Sequence, residues 1–349
     1  MPVLIDNLSP GHHLWAEAED NRAKTASEVP GALRRIVNIG LINNMSDGAL
    51  ISTERQLFDL LNKAAGKLPI CLRLYALPTV SRSDWGKQYI RRFYSDDQDL
   101  LDSDLDGLIV TGAEPQAPAL TQEPYWHSLT QVIDWAQENT ASTVWSCLAV
   151  HGAVLYLDGI ERRPLQEKCV GIFEQEKKAN HALLMGSPTG LKVPHSRWNE
   201  ISEQSLISSG YNILTRSDES GVDMFVKQQK GSLFVYFQGH PEYDAHSLLG
   251  EYRRDVGRFL RREIEDYPTL PHEYFDDRAV ELLIAFQRYA KLNRRQELLA
   301  SFPADRVGMN LENTWRPSAN CIYRNWISYL STRKVGRSTL SGASTFRAS

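Results

Sequence analysis

Net charge is nearly absent from this chain: 39 lysines and arginines face 43 aspartates and glutamates, leaving −4. So small a balance gives no general attraction to nucleic acid or to an anionic membrane surface. Cysteine is scarce as well. The four residues Cys71, Cys147, Cys169 and Cys321 are widely spread and form no C-x-x-C pair. That excludes a disulfide scaffold and a zinc knuckle, and it points to a reducing, cytoplasmic setting. No stretch reaches the roughly eighteen apolar residues of a membrane span. The opening M-P-V-L-I-D-N-L lacks the basic segment and apolar core of a signal peptide, so none is expected. His12, His13, His127, His151, His181, His246 and His272 show no metal-ligand spacing, so none is read as a zinc ligand; no bound cofactor is expected either. What is present is 349 residues with 42% hydrophobic content, enough for a sizeable core.

The order of apolar runs suggests the architecture. Residues 1–33 read as a polar, irregular arm. Arg35 to Asn43, Ile70 to Leu77, Asp106 to Thr111 and Ser142 to Ser146 are short apolar runs suited to buried parallel strands. Helical spacing separates them, at Thr53 to Ala65 (Leu57, Leu60, Leu61) and at Pro124 to Glu138. Alternation of this kind predicts an open, flavodoxin-like parallel α/β sheet with helices on both faces. From Val170 onward a smaller β-rich portion follows, with strands at Val170 to Phe173, Ile213 to Ser217, Val222 to Val226 and Leu233 to Phe237. Asp244 is placed to cap a helix striped by Leu248, Tyr252, Val256, Phe259 and Leu260. A charged helix is expected near Asp277 to Leu298, and residues 331–349, small and polar, read as disordered.

Cys147 sits where the run ending at Ser146 gives way to a small-residue helix beginning at Leu148. Most free cysteines are simply buried in cores. At a strand-to-helix turn, however, the side chain is pushed outward and the helix N-terminus favours an anion. The Leu148 amide would then point into the same space and could serve an oxyanion. About ninety residues on, F-Q-G-H-P-E-Y-D places His240 and Glu242 two apart after an apolar strand. In extended chain they face one side, as a base and its orienting carboxylate do. Pro194 to Arg197 (P-H-S-R) reads either as a turn after a strand ending at Val193 or as a polar cluster for a small zwitterion. Lys168 and Arg254 read as solvated surface or as ligand sites.

Taken together these strings resemble the homoserine O-acyltransferases of methionine biosynthesis, the homoserine O-succinyltransferases among them, in the class I glutamine amidotransferase-like superfamily. The matching motifs are G-L-I-V-T-G-A (Gly107 to Ala113), Y-W (Tyr125, Trp126), the Cys147 elbow, P-H-S-R, G-H-P-E-Y-D (Gly239 to Asp244) and E-Y-R-R-D (Glu251 to Asp255). N-T-W-R (Asn313 to Arg316) and N-W-I-S-Y (Asn325 to Tyr329) extend the match, so it covers residues 34–330. A helical insertion of about 277–306 interrupts it.

The resemblance implies that Cys147 is the acyl-thioester nucleophile, His240 the general base and Glu242 its partner. It further implies that Lys168, Ser196 and Arg254 contact substrate. L-homoserine and acyl-CoA would be the small-molecule substrates, with no nucleic acid or membrane partner; a homodimer is left open. The chain departs from the family in reading L-A-V-H-G (Leu148 to Gly152) after the cysteine. It also carries Gln116 where Gly accompanies succinyl and Glu acetyl transfer. Succinyl is the expected donor, with acetyl-CoA the alternative and a glutamine amidotransferase-type cysteine hydrolase behind both.

Overall fold

A computed structural model describes residues 3–6, 10–17, 19–20 and 36–343. Ten strands form one sheet: β1 (Val3–Ile5), β2 (Val37–Ile42), β3 (Ile70–Tyr75), β4 (Gly107–Val110), β5 (Ser142–Ser146), β6 (Arg163–Lys177), β7 (Leu191–Glu200), β8 (Asn212–Ser217), β9 (Gly221–Gln229) and β10 (Ser232–Phe237). Their order is β1-β3-β2-β4-β5-β10-β9-β8-β6-β7. From β1 to β10 neighbours run parallel. From β10 to β7 they run antiparallel. The expected parallel half and β-rich half are thus one continuous surface.

The longer helices are α1 (Asp47–Ala64), α2 (Asp84–Phe93), α3 (Asp97–Leu101), α4 (Trp126–Asn139), α5 (Leu148–Asp158), α6 (Glu203–Ser208), α7 (Ser247–Leu260), α8 (Asp277–Leu292), α9 (Ala304–Gly308) and α10 (Arg316–Ala343). The parallel strands are short because both faces are covered, which demands apolar residues at nearly every position. Leu57, Leu60 and Leu61 of α1 and Ile322, Trp326 and Leu330 of α10 pack on one face. Leu129, Ile133, Val150 and Val154 of α4 and α5 pack on the other. A third cluster joins α7, α8 and the following turns around Leu248, Tyr252, Leu283, Phe302 and Trp315. α8 and the turns after it therefore have their own apolar seat against α7. Among the described residues, no helix is long and apolar enough to cross a membrane.

Several expectations give way. The arm is not wholly irregular: Val3 and Ile5 are buried and pair with β3 as a sheet edge, and Leu14 is buried too. Residues 21–35 lie outside the described residues. P-H-S-R is not a turn but the middle of β7. Asp244 does not cap α7. His246 holds that position, and the Asp244 carboxylate accepts from the His246 amide and the Ser247 hydroxyl, both at 2.9 Å, closing the preceding turn. α10 runs to Ala343, within the 331–349 tail. Residues 344–349 lie outside the described residues.

Candidate active site

Parallel strands deliver their carboxyl ends to one edge, and the site gathers there. β5 ends at Ser146, and Cys147 takes φ 52° and ψ −116° before α5 begins. Positive φ is uncommon for a residue with a Cβ and places Cys147 on a strained turn. Its amide donates to the Phe237 carbonyl at 2.9 Å, so the neighbouring β10 holds the turn. Gly112, after β4, comes so close that a Cβ there would lie 2.9 Å from the Leu148 nitrogen. Glycine leaves that amide uncovered.

β10 ends at Phe237, and the next three amides are each held. Gln238 N donates to Asp223 O at 2.9 Å and His240 N to Pro194 O at 2.8 Å. Gly239 N donates to the Asp223 carboxylate at 3.1 Å. The turn so fixed sets His240 on the same cavity as Cys147, near enough for the sulfur to act on the imidazole's charge. Its Nδ1 lies 2.8 Å from Glu242 Oε1. Tyr243 stacks on the imidazole with ring centres 4.2 Å apart. Burial pushes the His240 pKa down. The Cys147 sulfur and the hydrogen-bonded Glu242 outweigh that, and the imidazole sits well above its ordinary value.

These residues open on a cavity of about 460 Å³. Lys168 from β6, Ser196 from β7 and Arg254 from α7 all line it, so the structure brings these three to the cysteine elbow. Two residues that sequence reasoning passed over bind them into one network. Glu251 accepts from Ser196 and from Tyr243, and lies 3.6 Å from Lys168. Asp255 accepts from Lys168 at 2.7 Å and faces Arg254 at 3.4 Å. Burial alone would raise the Glu251 carboxyl, but Lys168, the Ser196 and Tyr243 hydroxyls and His240 bring it below its ordinary value, so it stays anionic. Both carboxylates lie in the quoted E-Y-R-R-D string, and their i, i+4 spacing was the available signal. Two cations against two anions leave the floor nearly neutral and alternating in sign, which suits an amino-acid zwitterion.

Gln116 is not brought in. The loop contributes Gly112 to Pro115 to the cavity. Gln116 is exposed and borders a separate small cleft, with its amide tied to Glu123 at 2.8 Å. The other members of P-H-S-R point behind the site. His195 lies 3.5 Å from the buried Asp223, and Arg197 donates to the Ser220 carbonyl. Burial raises the Asp223 carboxyl to about 6 against the lowering effects of Thr215, Gly239, Arg197 and His240.

Among the described residues, His12, His13 and Glu54 are the group close enough in space to hold a metal ion. The Tyr89 hydroxyl lies 3.0 Å from His12, 3.2 Å from His13 and 3.0 Å from Glu54, and fills their centre. The Leu14 amide donates to His12 Nδ1, which leaves Nε2 carrying the proton. The group therefore reads as a hydrogen-bonded clasp between the arm, α1 and α2.

The sheet and its edge define a class: an α/β protein with a cysteine at a strand-to-helix elbow, facing an imidazole–carboxylate pair over a polar cavity. The sequence profile of the homoserine O-succinyltransferase family matches residues 2–337, and the chain belongs to that family. It is 44% identical over 334 residues to the homoserine O-succinyltransferase of Rhodopseudomonas palustris, covering 95% of this chain and 99% of that protein. With the homoserine O-succinyltransferase of Methylorubrum extorquens it shares 44% over 304 residues, 87% of this chain and 90% of the relative. Among solved structures, a glutamine amidotransferase from Thermotoga maritima is similar at TM-score 0.49 and 12% identity, covering 84% of this chain and 98% of that one.

Proposed function

We propose that this protein is a homoserine O-succinyltransferase of methionine biosynthesis, moving a succinyl group from succinyl-CoA to the hydroxyl of L-homoserine. The observation that carries the reading is Cys147 at its positive-φ elbow, on one cavity with His240, whose Nδ1 meets Glu242 at 2.8 Å. The Cys147 sulfur attacks the thioester carbonyl, and the Leu148 amide is placed to meet the oxyanion. The tetrahedral adduct expels CoA, which takes its proton from His240, and a succinyl-Cys147 thioester remains. The neutral imidazole then removes the homoserine hydroxyl proton. The resulting oxygen attacks the thioester, and O-succinylhomoserine leaves as the thiolate is restored. Glu242 keeps the Nδ1 proton in place through both halves. Arg254 and Lys168 offer charge to the homoserine carboxylate, Glu251 to its ammonium group, and Ser196 a hydroxyl.

Purified protein assayed with homoserine against succinyl-CoA and acetyl-CoA side by side tests the donor. Mass spectrometry after mixing with succinyl-CoA alone is expected to show one added succinyl group on the Cys147 peptide. Turnover without that adduct would overturn the mechanism, and preference for acetyl-CoA would overturn the donor.

A further inference from the structure

We propose that the part of the cavity lined by Trp198, Arg258 and Ile264 seats the nucleotide end of acyl-CoA. The proposal rests on the acyl-CoA reading above and says where the rest of that molecule lies.

Two ladders of side chains run outward from the elbow. On β7, alternation puts Ser196 and Trp198 on the cavity face and buries His195 and Arg197 behind it. On α7, helical spacing puts Glu251, Arg254, Asp255 and Arg258 on the facing side, all lining the cavity. The ladders join at the inner rung, where Ser196 donates to Glu251. One strand repeat and two helical turns further on they end at Trp198 and Arg258, with Ile264 beside them.

The two ends differ in chemistry. The inner end is lined by charges that are already paired, with Lys168, Glu251 and Asp255 largely buried and Arg254 open to solvent, and it suits a small zwitterion. The outer end holds an indole that is 57% exposed even though it belongs to a sheet strand. A single exposed aromatic needs no explanation, but this one stands at the rim of the reaction cavity. Among the described residues Arg258 pairs with Glu263, at 3.6 Å, with both side chains more than two-fifths exposed and the carboxylate already accepting from Arg261. Such a pair is weak and readily exchanged for a phosphate, which a guanidinium grips with two donors.

The ligand's own shape completes the argument. A thioester carbon at Cys147 Sγ leaves a long pantetheine arm that must exit through an open end. Its far end carries an adenine, which stacks on an indole, and phosphates, which need a cation. Trp198 and Arg258 supply that pair at the open end.

The experiment uses the full chain and two donors: succinyl-CoA, and the succinyl thioester of N-acetylcysteamine, which lacks the nucleotide. Trp198→Ala is expected to raise KM for succinyl-CoA about tenfold, the scale of one lost stacking contact, with the short thioester and KM for homoserine unaffected. Trp198→Phe is expected to recover most of the loss, and Arg258→Ala to erase any preference for CoA over 3′-dephospho-CoA in calorimetric binding. Equal losses on both thioesters, or no loss on succinyl-CoA, would overturn the proposal. Calorimetry with CoA itself separates this outcome from failure of the reaction. If the unaltered protein transfers no acyl group yet binds CoA more tightly than Trp198→Ala does, the seat stands and the acyl-transfer reading falls. If it neither binds CoA nor turns over, both fall.

Discussion

Opposing influences meet at the His240 imidazole. Burial disfavours its charge, while the Cys147 sulfur and the Glu242 carboxylate favour it, and the latter prevail. A histidine whose folded pKa is raised stabilises the fold fully below its unfolded value, and that contribution is lost as pH rises through the folded value. Cys147→Ala removes one of the two favouring partners. In that variant His240 is expected to titrate lower than in the unaltered protein, measured by NMR of the imidazole, and turnover should fall by about a thousandfold or more.

Asp223 carries the opposite sign from a paired surface carboxylate. Its folded pKa of about 6 lies above the unfolded one, so the folded chain takes up protons across that interval. Its contribution to stability therefore grows as pH falls from 6 toward 4 and is lost as pH rises through 6. Asp223→Asn should flatten that difference in urea midpoints between pH 4 and 7. At this scale the cysteine, the histidine and its glutamate were legible in the chain because each stands at a strand end with its neighbours spelled out beside it. Asp223 was not, since nothing local tells a strand aspartate that bonds the next turn's amide from one facing water.

At the scale of elements, the site depends on backbone approach as much as on side chains. The loop after β4 and the start of α5 touch at Gly112 and Leu148, with room for a hydrogen and none for a methyl group. Gly112→Ala is expected to lower kcat for acyl transfer by about ten- to a hundredfold, because one oxyanion donor is shielded. Alkylation of Cys147 by iodoacetamide, which needs no such donor, should stay near its normal rate. The β5–Cys147–α5 boundary was readable because the β-rich run stops on a thiol and small helix formers follow at once. β7 was misread around Pro194. A proline there suits an edge strand, and β7 is the edge of the sheet, a fact that local sequence does not carry.

Seen whole, the molecule brings Cys147 to a cavity that the proposed transfer would have both substrates use. If the acyl group waits on Cys147 between them, initial rates plotted in double-reciprocal form for homoserine at several succinyl-CoA concentrations should give parallel lines. Intersecting lines would require both substrates to be bound together. α8 and α10 extend this unit: Trp315 joins the cluster under α7, and the Trp326 indole donates to Ser142 at 2.9 Å at the start of the strand that leads to Cys147.

The linear order of residues was enough for the alternating α/β pattern, the elbow at Cys147 and the His240–Glu242 pair. Those depend on period and on spacing within a few positions, which hydrophobic alternation and strand ends record. Three arrangements arose only on folding: the carboxylates of α7 set against Lys168 and Ser196, Asp223 beneath the His240 turn, and Trp198 on one cavity with Arg258. They join residues from 16 to 87 positions apart, and only strand pairing and the packing of helix against sheet set the distance between them.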